Sequence, residues 1–171
     1  KLVVWVVRIL FIGDIFGTPG RQAAREYLEV HRADFDLVVA NGENATAGRG
    51  LSRKHFFELR DMGIDLVTMG NHTWDQRETP ELLEETPRLL RAANYPPGTP
   101  GVELAVIESA GGERLAVGQL LGRIFMEAVD DPFAAADRLI SQVPAGVPLL
   151  VDLHAEATSE KRVLSWHLRG H

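Results

Sequence analysis

Four runs of apolar residues along the chain share one pattern: each is continuous rather than alternating, and each gives way to small or polar residues. Continuous apolar runs of this length are typical of strands that are buried on both faces of a sheet. Stretches with helical spacing and helix-capping residues separate them. Strands are predicted at residues 6–12, 37–40, 64–69 and 147–153, and helices at 19–30, 53–62, 79–90, 132–142 and 156–168.

The alternation of strands and helices predicts right-handed crossovers and a mainly parallel α/β sheet. Two further strands are predicted at 102–108 and 114–120, joined by Gly111 and Gly112, a pair that favours a hairpin turn. This hairpin reads as an antiparallel addition within the same domain. With no interdomain linker in the sequence, we expect a single domain over residues 1–171.

Composition narrows the class of protein. The chain has 171 residues and no cysteine, so disulfides, thiolate metal sites and cysteine nucleophiles are excluded. Its 18 Lys and Arg stand against 24 Asp and Glu, a formal net charge of −6. No basic excess is available to follow a nucleic-acid backbone, so we expect no stable nucleic-acid complex. The apolar N-terminal segment is too short and too charged to span a membrane, and no membrane association is expected.

Residues with metal-binding side chains follow each of the four main strands. The carboxyl ends of parallel strands form one crevice, so we expect these side chains to converge. Carboxylate, carboxamide and imidazole groups suit manganese, iron or zinc rather than a metal selected by thiolates. The candidates are Asp14, Glu43, Asn44, Asn71, His72 and His154.

Two other interpretations compete with a metal site. Any single Asp or His after a strand is more often a turn former or a helix cap, and only the joint occurrence favours ligands. The spacing of Gly13, Gly17 and Gly20 also resembles a loosened dinucleotide-binding turn, with Glu43 as its acid. That turn would aim Asp14 at the pyrophosphate and would leave the polar residues after the later strands without a role. It is the poorer interpretation.

Four short motifs give the chain a resemblance to the calcineurin-like metallophosphoesterases. More narrowly, it resembles the bacterial YmdB-like subfamily, which are cytoplasmic phosphodiesterases acting on cyclic nucleotides. The similarity runs from Arg8 to Gly170, and it implies a sandwich of mixed, mainly parallel sheets flanked by helices. The motifs are Gly13-Asp14, Asn41-Gly42-Glu43-Asn44, Gly70-Asn71-His72-Thr73-Trp74-Asp75 and His154-Ala155-Glu156-Ala157-Thr158-Ser159-Glu160-Lys161.

The resemblance implies a centre of two metal ions, with iron favoured and manganese or zinc as alternatives. By this resemblance Asp14 holds the first metal, Glu43 bridges both, and Asn44 completes the protein ligands of the first. Asn71 and His154 hold the second metal. The first metal is thus implied to have two carboxylates and an amide as protein ligands, and the second a carboxylate, an amide and an imidazole.

The same resemblance assigns the chemistry. His72 is implied to protonate the leaving oxygen rather than to bind metal. Two cations about 3.5–4 Å apart can clamp phosphate oxygens and lower the pKa of a bridging water, which then attacks phosphorus. A histidine can carry a proton near neutral pH and deliver it to the alkoxide that leaves. The expected substrates are small phosphodiesters such as 2',3'-cyclic nucleotides.

One part of the superfamily pattern is missing. The last motif, Gly-x-His-x-His, does not occur in the sequence. We therefore expect a domain that is incomplete at its C-terminus and lacks its last strands, with about residues 1–7 as extra N-terminal residues. The alternative function is a catalytically impaired fragment that binds metal or nucleotide. A missing C-terminal portion would expose a sheet edge, which favours homo-oligomers.

Overall fold

The computed structural model describes residues 7–170, so most of the expected extra N-terminal residues and His171 lie outside the described part. Each predicted element has a counterpart there, and one short strand is additional. The strands are β1 (Ile9–Ile12), β2 (Leu37–Asn41), β3 (Leu66–Thr68), β4 (Leu89–Leu90), β5 (Leu104–Glu108), β6 (Arg114–Leu121) and β7 (Leu149–His154), and the helices are α1 (Gly17–His31), α2 (Arg53–Asp61), α3 (Thr79–Glu85), α4 (Pro132–Gln142) and α5 (Thr158–His167).

The strands form two sheets. In the first sheet β1, β2, β3 and β4 lie side by side and all pair in parallel. In the second sheet the predicted hairpin of β5 and β6 is antiparallel, and β7 pairs in parallel with β6. The predicted fold class, mixed and mainly parallel sheets flanked by helices, is confirmed. The placement of the fourth main strand is wrong: the alternation of elements predicts it in one parallel sheet with the first three, but β7 pairs with β6 in the second sheet.

Strand β2 shows why the apolar runs are continuous. All five of its residues are buried. Val38 and Ala40 pack into the cluster beneath the helices, whereas Leu37 and Val39 pack into the cluster between the two sheets. A strand with apolar neighbours on both faces has no position for a polar side chain until it ends, so its polar residues collect at the end.

Helices α2 and α4 lie close to their predicted bounds. The side chain of Ser52 caps α2 by accepting a hydrogen bond from the backbone N–H of His55. Gly63 follows the helix with a φ of +90°, a left-handed conformation that glycine adopts without steric penalty. Within residues 7–170, no helix is both long and apolar enough to cross a membrane.

Two helices differ from prediction. The sequence predicts that α1 begins at Pro19 with Thr18 as its N-cap. The helix begins instead at Gly17, so Thr18 lies inside its first turn, and the capping position is Phe16, which provides no side-chain hydrogen bond. Helix α3 ends at Glu85, and the apolar pair Leu89–Leu90 forms strand β4 instead of the predicted last helical turn. These two leucines pair with the buried strand β3, and both of their side chains are buried.

Candidate functional site

The candidate residues meet at one edge of the sandwich, where strands from both sheets end. Asp14, Glu43 and His154 line a single cleft, although 140 positions of sequence separate the first from the last. Lys161, from the first turn of α5, lines the same cleft and brings a positive charge to an otherwise acidic surface. The predicted convergence of these three candidates is thus present, with the second sheet contributing the histidine.

The carboxylate of Glu43 is the centre of this arrangement. Glu43 is only 2% exposed, and its Oε1 lies 2.6 Å from Nδ1 of His154. Its Oε2 accepts a hydrogen bond from the backbone N–H of His72 at 3.2 Å. A Cβ on Gly70 would lie 2.1 Å from Oε1, so only glycine leaves space for the carboxylate. The ends of β2, β3 and β7 therefore meet on one side chain.

The contact with Glu43 changes the pKa of His154. The hydrogen bond with Glu43 raises the pKa of His154 above its ordinary value, and this effect outweighs burial, which acts in the opposite direction. The negative charges of Glu156 and Asp152 add to the increase. A buried carboxylate and a protonated imidazole thus stabilise each other in the protein alone.

Asp14 and Asn44 form a second pair beside Glu43. The Nδ2 amide of Asn44 donates a hydrogen bond to Oδ1 of Asp14 at 2.7 Å. Asp14 has a φ of +41°, and its loop is held by backbone hydrogen bonds from Ile15 to Asn41 and from Gly17 to Asn44. These two residues are the ones that the resemblance assigns to the first metal, and the structure brings them into contact.

Asn71 provides a test of whether a metal fits. Its Oδ1 is buried and has no hydrogen-bond partner among the residues that the structure describes. A buried carbonyl oxygen without a partner costs about 1–3 kcal/mol, so such an atom calls for a ligand. Amide oxygen, carboxylate and imidazole donors all suit manganese, iron or zinc. The residues present therefore fit a metal of this class.

The donor set is unusual in composition. Within residues 7–170, no three His, Asp or Glu side chains are grouped in a way that would hold a metal ion. The predicted set does not require such a group, because each of the two implied ions would take only two His, Asp or Glu residues together with one asparagine. Asp14, Glu43, Asn44, Asn71 and His154 remain predicted ligands. The cleft that Asp14, Glu43 and His154 share, the contact of Asn44 with Asp14 and the unpaired oxygen of Asn71 support this prediction.

His72 is oriented by a partner to which the sequence analysis gave no role. Its Nδ1 lies 2.6 Å from Oδ2 of Asp75, three residues further along the same turn. The same oxygen accepts a hydrogen bond from Nε of Arg49 at 2.7 Å. Burial opposes ionisation of Asp75, but the hydrogen bonds from Arg49 and His72 outweigh it and lower the pKa of the carboxyl. The spacing of a carboxylate three residues after the histidine is the signal that could have identified it.

Asp152 is a second residue that the sequence analysis missed. It lies within the run 147–153, which reads as simply apolar, and its side chain is partly buried where the two sheets meet. Oδ2 of Asp152 accepts hydrogen bonds from Oγ1 of Thr68 at 2.5 Å and from Nδ2 of Asn41 at 3.0 Å. Burial raises the pKa of Asp152, against the effect of these two hydrogen bonds.

The glycines of the dinucleotide alternative have packing roles. A Cβ on Gly20 would lie 3.1 Å from the backbone of Ile15, and Gly17 has a φ of +54° where its loop passes Gly48. Gly13 borders the candidate cleft. The close approach at Gly20 and the left-handed φ of Gly17 account for these two glycines without a bound pyrophosphate.

The fold and the polar cluster at its strand ends define a two-sheet α/β protein of the metallophosphoesterase type. The chain matches the YmdB-like protein family over residues 10–171 and belongs to that family. It is 44% identical over 167 residues to the 2',3'-cyclic-nucleotide 2'-phosphodiesterase of Bacillus subtilis (strain 168). That match covers 96% of this chain and 63% of the relative. The resemblance stated from the motifs is thereby confirmed.

Solved structures agree with this family. A crystal structure of a hypothetical protein from Thermus thermophilus superposes with a TM-score of 0.90 at 49% identity, covering 96% of this chain and 64% of the other. The crystal structure of a novel phosphatase from Mycoplasma pneumoniae has a TM-score of 0.86 at 31% identity, with 96% and 60% covered. The chain thus spans somewhat less than two thirds of the length of these relatives.

Proposed function

We propose that this chain carries the site of a metal-dependent phosphodiesterase that hydrolyses small phosphodiesters, with 2',3'-cyclic nucleotides as the substrate class. The observation that carries the proposal is the buried carboxylate of Glu43, held between His154 and the backbone of His72 where both sheets end. The name of the Bacillus subtilis relative supports the substrate class. We further propose that the protein works in the cytoplasm on small molecules, forms no stable nucleic-acid complex, and associates into homo-oligomers.

The residues that would hold two metal ions are the five predicted ligands. Asp14, Glu43 and Asn44 would hold the first ion, and Glu43, Asn71 and His154 the second, with iron favoured over manganese or zinc. When bound, two such ions supply charge neutralisation for the phosphate and a hydroxide at neutral pH. The chain itself contributes the buried, pre-positioned carboxylate and the unpaired amide oxygen of Asn71.

His72 is proposed as the general acid. Asp75 holds Nδ1 of its ring, so the ring orientation is fixed and Nε2 is the nitrogen that can deliver a proton. Hydrolysis of a phosphodiester releases an alkoxide, which leaves more readily when it is protonated as the bond to phosphorus breaks. Lys161 would attract the anionic substrate into a cleft whose other charged residues are mostly acidic.

The test is hydrolysis of bis(4-nitrophenyl) phosphate and of 2',3'-cyclic AMP with added Mn²⁺ or Fe²⁺. The variant is His72→Ala, and the matched control is His167→Ala, which removes a histidine that pairs with Asp137 on the helices. We expect His72→Ala to lower turnover of the cyclic nucleotide by about 100-fold or more. We expect Mn²⁺ affinity to change little in either variant, and His167→Ala to keep full turnover.

The other outcomes discriminate between functions. Equal turnover in wild type and His72→Ala would exclude His72 as the general acid. Binding of Mn²⁺ and nucleotide without turnover would support the alternative of a metal- or nucleotide-binding module, whose basis is that only one imidazole stands among the five predicted ligands. Absence of both binding and turnover would overturn the proposal. Sedimentation velocity measures the oligomeric state in the same buffers.

A further inference from the structure

A single carboxylate oxygen joins the two sheets directly beneath the candidate site. Oδ2 of Asp152, on β7, accepts one hydrogen bond from the hydroxyl of Thr68 on β3 and one from the amide of Asn41 on β2. Asp152 also borders the cleft that Glu43 and His154 line. Both groups that contact Oδ2 are donors, so the oxygen serves as an acceptor for two strands of the other sheet.

The side-chain amide of Asn41 connects Asp152 to the backbone of Glu43. Its Nδ2 donates to the backbone carbonyl of Met69 at 3.0 Å as well as to Asp152. Its Oδ1 accepts from the backbone N–H of Glu43 at 3.2 Å. A rotation of this amide by 180° would place its oxygen against two acceptors and its NH₂ group against the N–H of Glu43, so all three contacts favour the same orientation.

Asp152 is also connected to His154, through the strand β7 that carries both residues. His154 follows two residues later, on the same face of β7, because successive side chains alternate between the faces of a strand. The strand that Asp152 ties to β2 and β3 is therefore the strand that brings His154 to Glu43. Asp152 is thus connected to both partners of the 2.6 Å contact between Nδ1 of His154 and Oε1 of Glu43: through Asn41 to Glu43, and through β7 to His154.

We propose that Asp152 is a positioning residue for the site: through Asn41 it sets the backbone of Glu43, and through β7 it sets His154. This inference deepens the proposed function and rests on it for the identity of the site. The role requires an acceptor oxygen at Oδ2 and does not require a negative charge. Replacement by an amide that keeps the oxygen should therefore preserve the site, whereas an apolar side chain of similar size should not.

The experiment compares Asp152→Asn and Asp152→Leu in the metal-free chain, with Thr68→Val as the matched control. Thr68→Val removes the other donor to the same oxygen and leaves the contact with Asn41 in place. The first readout is the downfield ¹H–¹⁵N NMR signal of the Nδ1–H group of His154 bonded to Glu43, assigned by its loss in His154→Gln. The second is Mn²⁺ affinity by calorimetry, and the third is the urea midpoint of unfolding.

We expect Asp152→Asn and Thr68→Val to keep the His154 signal and to bind Mn²⁺ within about threefold of wild type. We expect Asp152→Leu to lose the signal and to bind Mn²⁺ about 10- to 100-fold more weakly, the range found for residues that orient metal ligands. Asn41→Ala interrupts the same connection from its other end and should reproduce this loss, which keeps the test valid if Asp152→Leu fails to fold.

Two results would overturn the inference. Asp152→Leu with the wild-type signal and Mn²⁺ affinity but a lower urea midpoint would show that Asp152 only joins the sheets. Asp152→Asn with a loss as large as that of Asp152→Leu would show that the charge acts directly. If wild type binds no Mn²⁺ or hydrolyses nothing, the proposed function fails, and the NMR signal still decides whether Asp152 positions the pair.

Discussion

The space that Gly70 leaves for Glu43 makes Gly70→Ala a sharp perturbation. A Cβ at this position would lie 2.1 Å and 2.2 Å from the two carboxylate oxygens, and Cβ contacts below 3.0 Å are essentially never seen. The nearer oxygen must therefore move by about 0.9 Å, the difference between 3.0 Å and 2.1 Å. The φ of Gly70 is outside the left-handed region, so alanine adds a steric effect without backbone strain.

Gly70→Ala should affect metal affinity and turnover much more than the free energy of unfolding. A displacement of about 1 Å in a catalytic geometry can cost about 100-fold in rate. The carboxylate is the far end of a side chain, so the cost in unfolding free energy should stay near the low end of the overpacking range, about 1 kcal/mol. We expect a loss of at least tenfold in Mn²⁺ affinity and of about 100-fold in turnover of 2',3'-cyclic AMP.

Gly13→Ala is the matched control for this experiment. Gly13 also follows a strand and precedes a predicted ligand, but a Cβ there would meet only Phe11, at an ordinary 3.8 Å. We expect Gly13→Ala to keep Mn²⁺ affinity and turnover, measured by calorimetry and by product release, with urea unfolding as the stability check. Wild-type Mn²⁺ affinity in Gly70→Ala would refute the reasoning, because the carboxylate position described for Glu43 would not then be the functional one.

Asp75, His55 and Gly63 each allow a further prediction. Asp75→Asn should lower cyclic-nucleotide turnover by about tenfold or more and leave Mn²⁺ affinity unchanged, because His72 loses its orienting acceptor; unchanged turnover would count against that role. Burial, with a smaller effect of Arg21, lowers the pKa of His55, so the folded chain favours its neutral ring and the contribution of His55 to the unfolding free energy should fall as pH decreases below about 6.5. In urea titrations between about pH 7.5 and 5.5, the unfolding free energy of His55→Gln should therefore rise relative to that of wild type as pH decreases, and a difference that is constant with pH would contradict the prediction. Gly63→Ala should reduce the unfolding free energy by about 1–2 kcal/mol through its left-handed φ, with no change in Mn²⁺ affinity.

The elements that the sequence predicted well are those whose signal is local. The continuous apolar run of β2 predicts a strand that is buried on both faces, as observed. Ser52 before α2 and Gly63 after it predict where this helix begins and ends. Strand β4 has no such signal: two leucines after a helix are read as another helical turn until the neighbouring strand is known. The location of β7 in the second sheet likewise depends on its pairing with β6, which the order of elements does not specify.

The candidate site divides in the same way. Glu43 and His154 were recognisable because each ends a strand and because the motifs around them resemble a family. Asp152 was not, since its two donors lie 84 and 111 residues away in sequence and a lone aspartate in an apolar run carries no local signal. Asp75 lies between these cases, because its partner His72 is only three residues away but the turn that joins them had to be seen.

The construction of the site across both sheets has a consequence for folding. Contacts between residues 84 to 111 positions apart close long loops, and such contacts form slowly because the loop entropy is lost before the contact is gained. Neither sheet alone brings Glu43 and His154 together, so docking of the sheets and completion of the site are one event. A ligand that binds only the completed site would stabilise the docked state by about 2.7 kcal/mol at a free concentration 100 times its Kd. Such a ligand would therefore hold the two sheets together and slow their separation, in addition to filling the site.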